Sequence, residues 1–360
     1  ELGREMRLSY LPPLMVYVAA GVSGLTGIVG TFFVKEYLGL SAAFLAALGF
    51  WAGIPWALKM PLGHLVDLMW RHKAGLVWLG ASLIAASLLI MLGLVAEPQT
   101  MRGIMPLEAW YVVAALLSPV GYVLQDVVAD AMTVEAVPRV NDRGEMLPPE
   151  TRRLMNTTLQ MLGRVAIIGG GVLVSLVNVV MFAGVERLPN PERVAIYAQV
   201  YGMALVIPAI SVAGVLLASL IRRREAGRLR ARGFDEAAVR AMLEPPTELV
   251  KPDWWILGGS LVFVAISVSV GVSQLEFGQE IIFLGSFAII TFLMAKLLRA
   301  LDEDSRRTLL GTAIVIFVFR AMPGPGAGST WWMIDVLGFD QSFLARLSLI
   351  ASVLTLFGLF

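Results

Sequence analysis

The stretch GIPWALKMPLGHLVD, residues 53–67, sets Lys59 inside a run that is otherwise apolar and marked by prolines. LQDVVADAMTVEAV, residues 124–137, places Asp126 and Asp130 at i and i+4, on one face of a helix. Arg164 interrupts a third apolar run and Arg320 a fourth. Such groups can bind a charged solute, pair with one another, or hold and release a proton. At membrane depth an ionisable side chain is costly unless paired or hydrated, so each is a functional candidate.

The elements that must position these residues are read from composition. The chain of 360 residues is 58% hydrophobic and 15% charged, with a mean hydropathy of +0.77. Those values define a membrane protein rather than a soluble domain. Long apolar segments fall near 10–35, 41–66, 74–95, 109–134, 154–184, 196–221, 253–272, 280–300, 308–334 and 342–360. About ten transmembrane helices are expected, each able to cross a core of about 30 Å. The strict alternation of a membrane β-barrel is missing from the sequence. No cysteine is present and only His64 and His72 could serve as imidazole ligands, so no metal site, cofactor or thiol chemistry is expected. No His pair or Ser/Lys dyad shares a helix face, so no catalytic residue and no enzyme activity is expected, and no nucleic-acid partner.

Lys and Arg gather after every second helix: Arg71 and Lys73, then Arg139, Arg143, Arg152 and Arg153, then Arg222 to Arg232. The positive-inside rule puts the N-terminus in the cytoplasm. The front lacks an initiator Met, and LSLIASVLTLFGLF stops within an apolar run, so the chain is read as a fragment.

Laying residues 27–52 over 326–351 without a gap matches Gly27 with Gly326, Thr31 with Thr330, Leu38 with Leu337, Gly39 with Gly338, and Phe44 to Ala46 with Phe343 to Ala345. Glu36 falls on Asp335, and Phe32 and Phe33 fall on Trp331 and Trp332. Because this match spans a polar helix end and a turn, it is read as a duplication in which helices one and two recur as nine and ten. Parallel repeats of this kind mark the major facilitator fold, with its substrate site at mid-membrane between two six-helix halves. The expected layout is an N-terminal half at 1–221, a basic cytoplasmic linker at 222–252, an extra hairpin at 253–300, and the start of a truncated second half at 301–360. About four helices of that half would be missing. The linker run RRREAGRLRAR either fixes topology or binds anionic lipid, the first being the plainer reading.

Counted at about 1.5 Å per residue, Lys59 lies roughly 12 Å in from the cytoplasmic end of helix two, Arg164 roughly 16 Å into helix five, and Asp126 and Asp130 roughly 13 and 8 Å into helix four. These depths overlap. Two cations and two anions would cancel if the faces converged, either as a closed packing network or as the lining of a wet pathway. The cost of such networks relative to apolar packing favours the pathway. Glu36 and Lys35, at the outer end of helix one, read equally as interfacial residues or as a gate. Arg320 precedes AMPGPGAGST, whose prolines and glycines predict a broken helix. GPGAG lacks the lysine and preceding strand of a phosphate loop. Gly169 to Gly171 are expected to allow close helix approach, and Trp110, Trp254 and Trp255 to anchor the interface.

In the loop GHLVDLMWRHK, the spacing Gly63, Asp67, Arg71, Lys73 resembles the latch loop after the second helix of major facilitators. FFVKEYLGLSAAFLAALGFWAGIPWALKMPLGHLVD at 32–67 and the helix-four element at 124–137 resemble the folate/biopterin transporter family, a branch of the major facilitators. Pro61 comes one place later than in that family's pattern, and the helix-four element resembles that of muropeptide permeases as well. FDQSFLARLSLIASV at 339–353 continues the resemblance. The resemblance implies uptake of folate, pterin or a related metabolite, commonly driven by protons; a monomer in the bacterial inner membrane is expected. It points to Lys59, Asp126, Asp130 and Arg164. A carboxylate can accept the paired N–H donors of a pterin edge, and Lys or Arg suits a glutamate tail. The alternatives are another amphipathic anion, such as a muropeptide, and a non-transporting scaffold or assembly factor.

Overall fold

A computed structural model of the chain describes residues 7–138, 146–243, 251–273, 275–299, 301–322 and 324–359. All its elements are helical: α1 (Leu11–Gly21), α2 (Gly27–Glu36), α3 (Ala42–Ala57), α4 (Lys59–Leu68), α5 (Lys73–Ala96), α6 (Pro98–Arg102), α7 (Leu107–Ala136), α8 (Pro149–Met181), α9 (Asn190–Ala204), α10 (Val206–Ala231), α11 (Glu236–Leu243), α12 (Trp254–Ser273), α13 (Gly278–Arg299), α14 (Glu303–Arg320), α15 (Ala327–Asp335) and α16 (Gln341–Phe357). Among the described residues, 8 segments are long and apolar enough to span a membrane: Leu8–Glu36, Ala42–Leu68, Lys73–Ala96, Leu107–Ala136, Pro149–Arg187, Asn190–Ala231, Trp254–Gly271 and Gly278–Lys296. The chain is an all-α, multi-pass membrane protein. The ninth expected span is divided between α14 and α15 by residues 321–326, where prolines and glycines cannot sustain the helical ladder. Pro323 lies outside the described residues. The tenth is the apolar helix Gln341–Phe357.

Helix one is likewise divided. Between α1 and α2, Val22–Thr26 winds as a 3₁₀ turn. The two breaks fall at corresponding places of the repeat, and the helix ends that follow them share their hydrogen bonds. Tyr37 N donates to Phe33 O at 2.9 Å and Val336 N to Trp332 O at 2.9 Å. Leu40 N donates to Val34 O at 3.3 Å, and Phe339 N to Met333 O at 3.1 Å. Gly39 (φ 64°) and Gly338 (φ 68°) both adopt the left-handed turn conformation that glycine takes without strain. The next helix is capped each time by a side-chain oxygen: Ser41 accepts from Phe44 N at 3.1 Å, Asp340 from Phe343 N at 2.7 Å. The spacing of 299 is constant through these pairs, from Gly39 to Gly338.

In the bundle, α1 packs between α8 and α10, and α5 runs along α7. Glycines make this possible. A Cβ at Gly80 of α5 would stand 2.6 Å from the Gly121 carbonyl oxygen of α7, and one at Gly170 of α8 would stand 2.9 Å from Gly21 Cα. Small residues allow such backbone approach inside a membrane. Of the three consecutive glycines, Gly170 makes the close contact, Gly169 faces open space, and Gly171 comes within ordinary reach of Ser352. The hairpin α12–α13 docks on helix two, where Phe263, Val270 and Ile282 pack with Trp51 and Ile54. Trp254 and Trp255 are exposed at the start of α12.

Candidate functional site

Helix two is broken at Leu58, and the break places Lys59. Pro61 has no N–H for the Ala57 carbonyl, and Leu58 N turns back to Pro55 O at 3.1 Å, tightening the last turn of α3. Lys59 opens α4 and reaches across to α7. Its Nζ lies 2.5 Å from Asp126 Oδ2 and 3.0 Å from Asp130 Oδ2. One cation therefore bridges the two aspartates that the i, i+4 spacing puts on one face. The Asp126 side chain is 17% exposed, while those of Lys59 and Asp130 are each 44% exposed, so one aspartate is sheltered and the other is open.

A residue from helix one completes the centre. Tyr17 donates its hydroxyl to Asp130 Oδ1 at 2.7 Å. The polar face continues onto helix five: Thr133 Oγ1 donates to the Asp130 carbonyl at 2.7 Å and accepts from Gln160 Nε2 at 3.2 Å. Arg164 follows Gln160 by one turn; it is exposed and forms no ion pair among the described residues. Behind Asp126, the buried Gln125 accepts from Ser211 of α10 at 2.9 Å.

A second centre lies where α5 begins and α7 ends. Lys73, at the start of α5, is buried, 2.6 Å from Glu135 Oε1 and with its Nζ 3.8 Å from the Trp70 ring centroid. Arg222 of α10 approaches the same Glu135 oxygen at 3.7 Å. Of the loop residues singled out in the sequence, Lys73 thus ties to helix four through Glu135, which Arg222 of helix six also approaches. Asp67 is exposed with no ion pair among the described residues, Gly63 has open space around it, and the side chain of Arg71 lies outside the described residues. His64 is structural, because its Nε2 accepts the backbone N–H of Asp253 at 2.8 Å and so ties helix two to the foot of the hairpin.

A third cluster gathers around the end of α2. Lys35 pairs with Asp335 and stands 5.7 Å from the Trp331 ring centroid, so the first unit of the repeat holds the second. Glu36 faces Arg193 at a loose 3.9 Å. Tyr37 donates to Asn190 at 2.6 Å, and burial lifts its phenol above the ordinary value, so it remains a donor at working pH. Gln341 donates to the Tyr197 hydroxyl at 2.8 Å, and Ser175 of α8 meets Ser348 of α16 at 3.1 Å. Arg320 is exposed at the end of α14 and has no ion pair among the described residues.

Two signals went unread in the sequence: Tyr17, which looks like any aromatic of an apolar helix, and the partnership of Lys35 with Asp335, which crosses 300 positions.

An ion-paired polar centre inside a multi-pass helical bundle defines the class: an integral membrane protein with charged side chains among its spanning helices. No family model matches the chain. It is similar to a folate-biopterin transporter of Synechocystis sp., 29% identical over 141 residues, which are 38% of this chain and 26% of that protein. The match thus spans about a quarter of the relative's length. Among solved structures it is similar to the inward-open conformation of the xylose transporter XylE from E. coli, with 16% identity, 98% of this chain and 79% of that one covered, and a TM-score of 0.43. Both are transporters rather than enzymes. The name of the first agrees with the folate/biopterin resemblance carried by residues 32–67 and 124–137.

Proposed function

We propose that the protein is a secondary active transporter that moves a folate, a pterin or a related small metabolite together with protons, by alternating access. The observation that carries this reading is the Lys59 bridge to Asp126 and Asp130. Arg164, exposed and without an ion pair among the described residues, suits a solute that brings its own anion. The amino-oxo edge of a pterin suits a carboxylate, and an acidic tail suits Arg164 or Lys59. When solute or a helix shift draws Lys59 away, the sheltered Asp126 is left as a lone carboxylate, and taking up a proton relieves that cost.

The division into a first half at 1–221, a linker at 222–252, a hairpin at 253–300 and a second unit from 301 is supported by the recurrence of break, turn and cap at a constant offset. Contacts between the first half and the second unit include Lys35 with Asp335, Tyr197 with Gln341, and Ser175 with Ser348. In this reading they are the outer gate, shut, with the Lys59 centre served from the cytoplasmic side where the N-terminus lies. The protein works as a monomer in the bacterial inner membrane, with Glu36 and Arg320 lining the route and the Lys73–Glu135 pair latching helix ends.

The test is uptake of labelled folic acid and labelled biopterin by cells expressing the full-length gene, with and without an uncoupler. Uptake that collapses with the uncoupler and is competed by unlabelled pterins supports the reading. Uptake indifferent to the uncoupler, or none from protein shown to be in the membrane, contradicts it.

A further inference from the structure

Asp130 has its two carboxylate oxygens held by different helices. Oδ1 accepts from Tyr17 of α1 at 2.7 Å, and Oδ2 faces Lys59 of α4 at 3.0 Å. Asp126 has Lys59 at 2.5 Å and no other side-chain partner among the described residues. The Tyr17 ring is 5% exposed and sits in a notch that Gly163 leaves in α8. A Cβ at Gly163 would stand 2.8 Å from Tyr17 Cε2 and 2.9 Å from Cδ2, so any side chain there displaces the ring. The hydroxyl is therefore referenced to helices one, four and five, whereas Lys59 rides on the short helix that follows the break at Leu58.

We propose that Tyr17 is a positioning residue that keeps Asp130 as the standing anion of the centre, so that Asp126 is the carboxylate that carries the proton. The proposal rests on the proton-coupled reading above. When α4 shifts and Lys59 withdraws, Asp130 retains the hydroxyl donor of Tyr17. Asp126, 17% exposed, loses its one cation and neutralises instead. The groups that face the pair are Lys59 from helix two, Tyr17 from helix one, and each aspartate for the other. Arg164 lies beside Gly163 on helix five without an ion pair among the described residues, and helix six contributes the Ser211 hydroxyl to neighbouring Gln125.

The experiment is an infrared pH titration of the protonated-carboxyl band in the protein reconstituted in lipid, which needs no knowledge of the substrate. The wild type is expected to show a titrating carboxyl that vanishes in Asp126→Asn and persists in Asp130→Asn. Tyr17→Phe, which removes one oxygen and keeps the ring, is expected to add a second titrating carboxyl that disappears in Tyr17→Phe/Asp130→Asn. Its pH profile of uptake should move by about one unit. Gly163→Ala, which displaces the ring without touching the phenol, should reproduce the Tyr17→Phe titration. A Tyr17→Phe titration that superimposes on the wild type, while Asp126→Asn still loses its band, overturns the assignment of Tyr17 and leaves proton coupling standing. Loss of the wild-type band in Asp130→Asn rather than Asp126→Asn reverses the two roles and also overturns it. A wild type with no carboxyl band that either Asn variant removes contradicts the proton-coupled reading itself, and the proposal falls with it.

Discussion

Lys35 of the first repeat unit is paired with Asp335, the residue that stands in the second unit where the first has Glu36. Glu36 stays within the first half of the chain, facing Arg193 at 3.9 Å. Equivalent acids at equivalent helix ends thus play different parts, since one braces a unit and the other joins two.

The joining pair should act as a gate contact. Its side chains are 17% and 55% exposed, so breaking it should cost stability only about 0–1 kcal/mol. Access should change more. The chain has no cysteine, so a single thiol introduced at Ser348 reports the outer seam cleanly. Labelling of that thiol from outside should rise severalfold in Lys35→Ala and return to the wild-type rate in the swap Lys35→Asp with Asp335→Lys. Equal labelling rates in all three would show that the pair does not gate.

Adjacent glycines of α8 should respond oppositely to one methyl group. Gly170→Ala forces Cβ against the Gly21 backbone at 2.9 Å and should destabilise by about 1–3 kcal/mol. Gly169→Ala meets nothing within 4 Å and should be neutral or slightly stabilising, since alanine is the better helix former. Unfolding midpoints in detergent separate the two.

The hairpin foot depends on His64. Replacing it by Phe removes the acceptor for the Asp253 N–H and should cost about 1 kcal/mol. Hydrogen exchange should rise at the start of α12 and stay unchanged in α5.

At the start of α14, the Ser305 backbone N–H holds the Asp302 carboxyl below its usual value. A depressed carboxyl contributes stability that is complete above its unfolded value, about 3.9, and is lost as pH falls through the folded one. Amide protection in the first turn of α14 should therefore fall on acidification in that window. In Asp302→Asn, which keeps an acceptor oxygen without the charge, that pH dependence should vanish.

The spans were legible because a helix must stay apolar over its length to cross a bilayer, and Lys59, Asp126 and Asp130 stood out by the cost of charge against that background. The i, i+4 spacing predicted the shared face of the two aspartates, and the structure adds that a single lysine serves both. The break in helix nine followed from its prolines and glycines. The matching break in helix one did not, because VSGLT at 22–26 carries no proline and one glycine. Tyr17 could not be read either, since its role depends on how α1 crosses α8 at Gly163, a tertiary fact without local signature. For Lys73 the sequence showed a loop cation but not that Glu135, 62 positions on, would take it.

The central claim is that the Lys59–Asp126 pair couples proton movement to solute movement. The direct measurement is uptake of labelled folic acid and biopterin driven by an imposed proton gradient, comparing wild type, Lys59→Ala and Asp126→Asn at equal membrane abundance. Gradient-driven uptake is expected in the wild type and should fall by about tenfold or more in both variants, because removing one member of such a pair strands the other. Gradient-driven uptake that survives in both variants would contradict the claim.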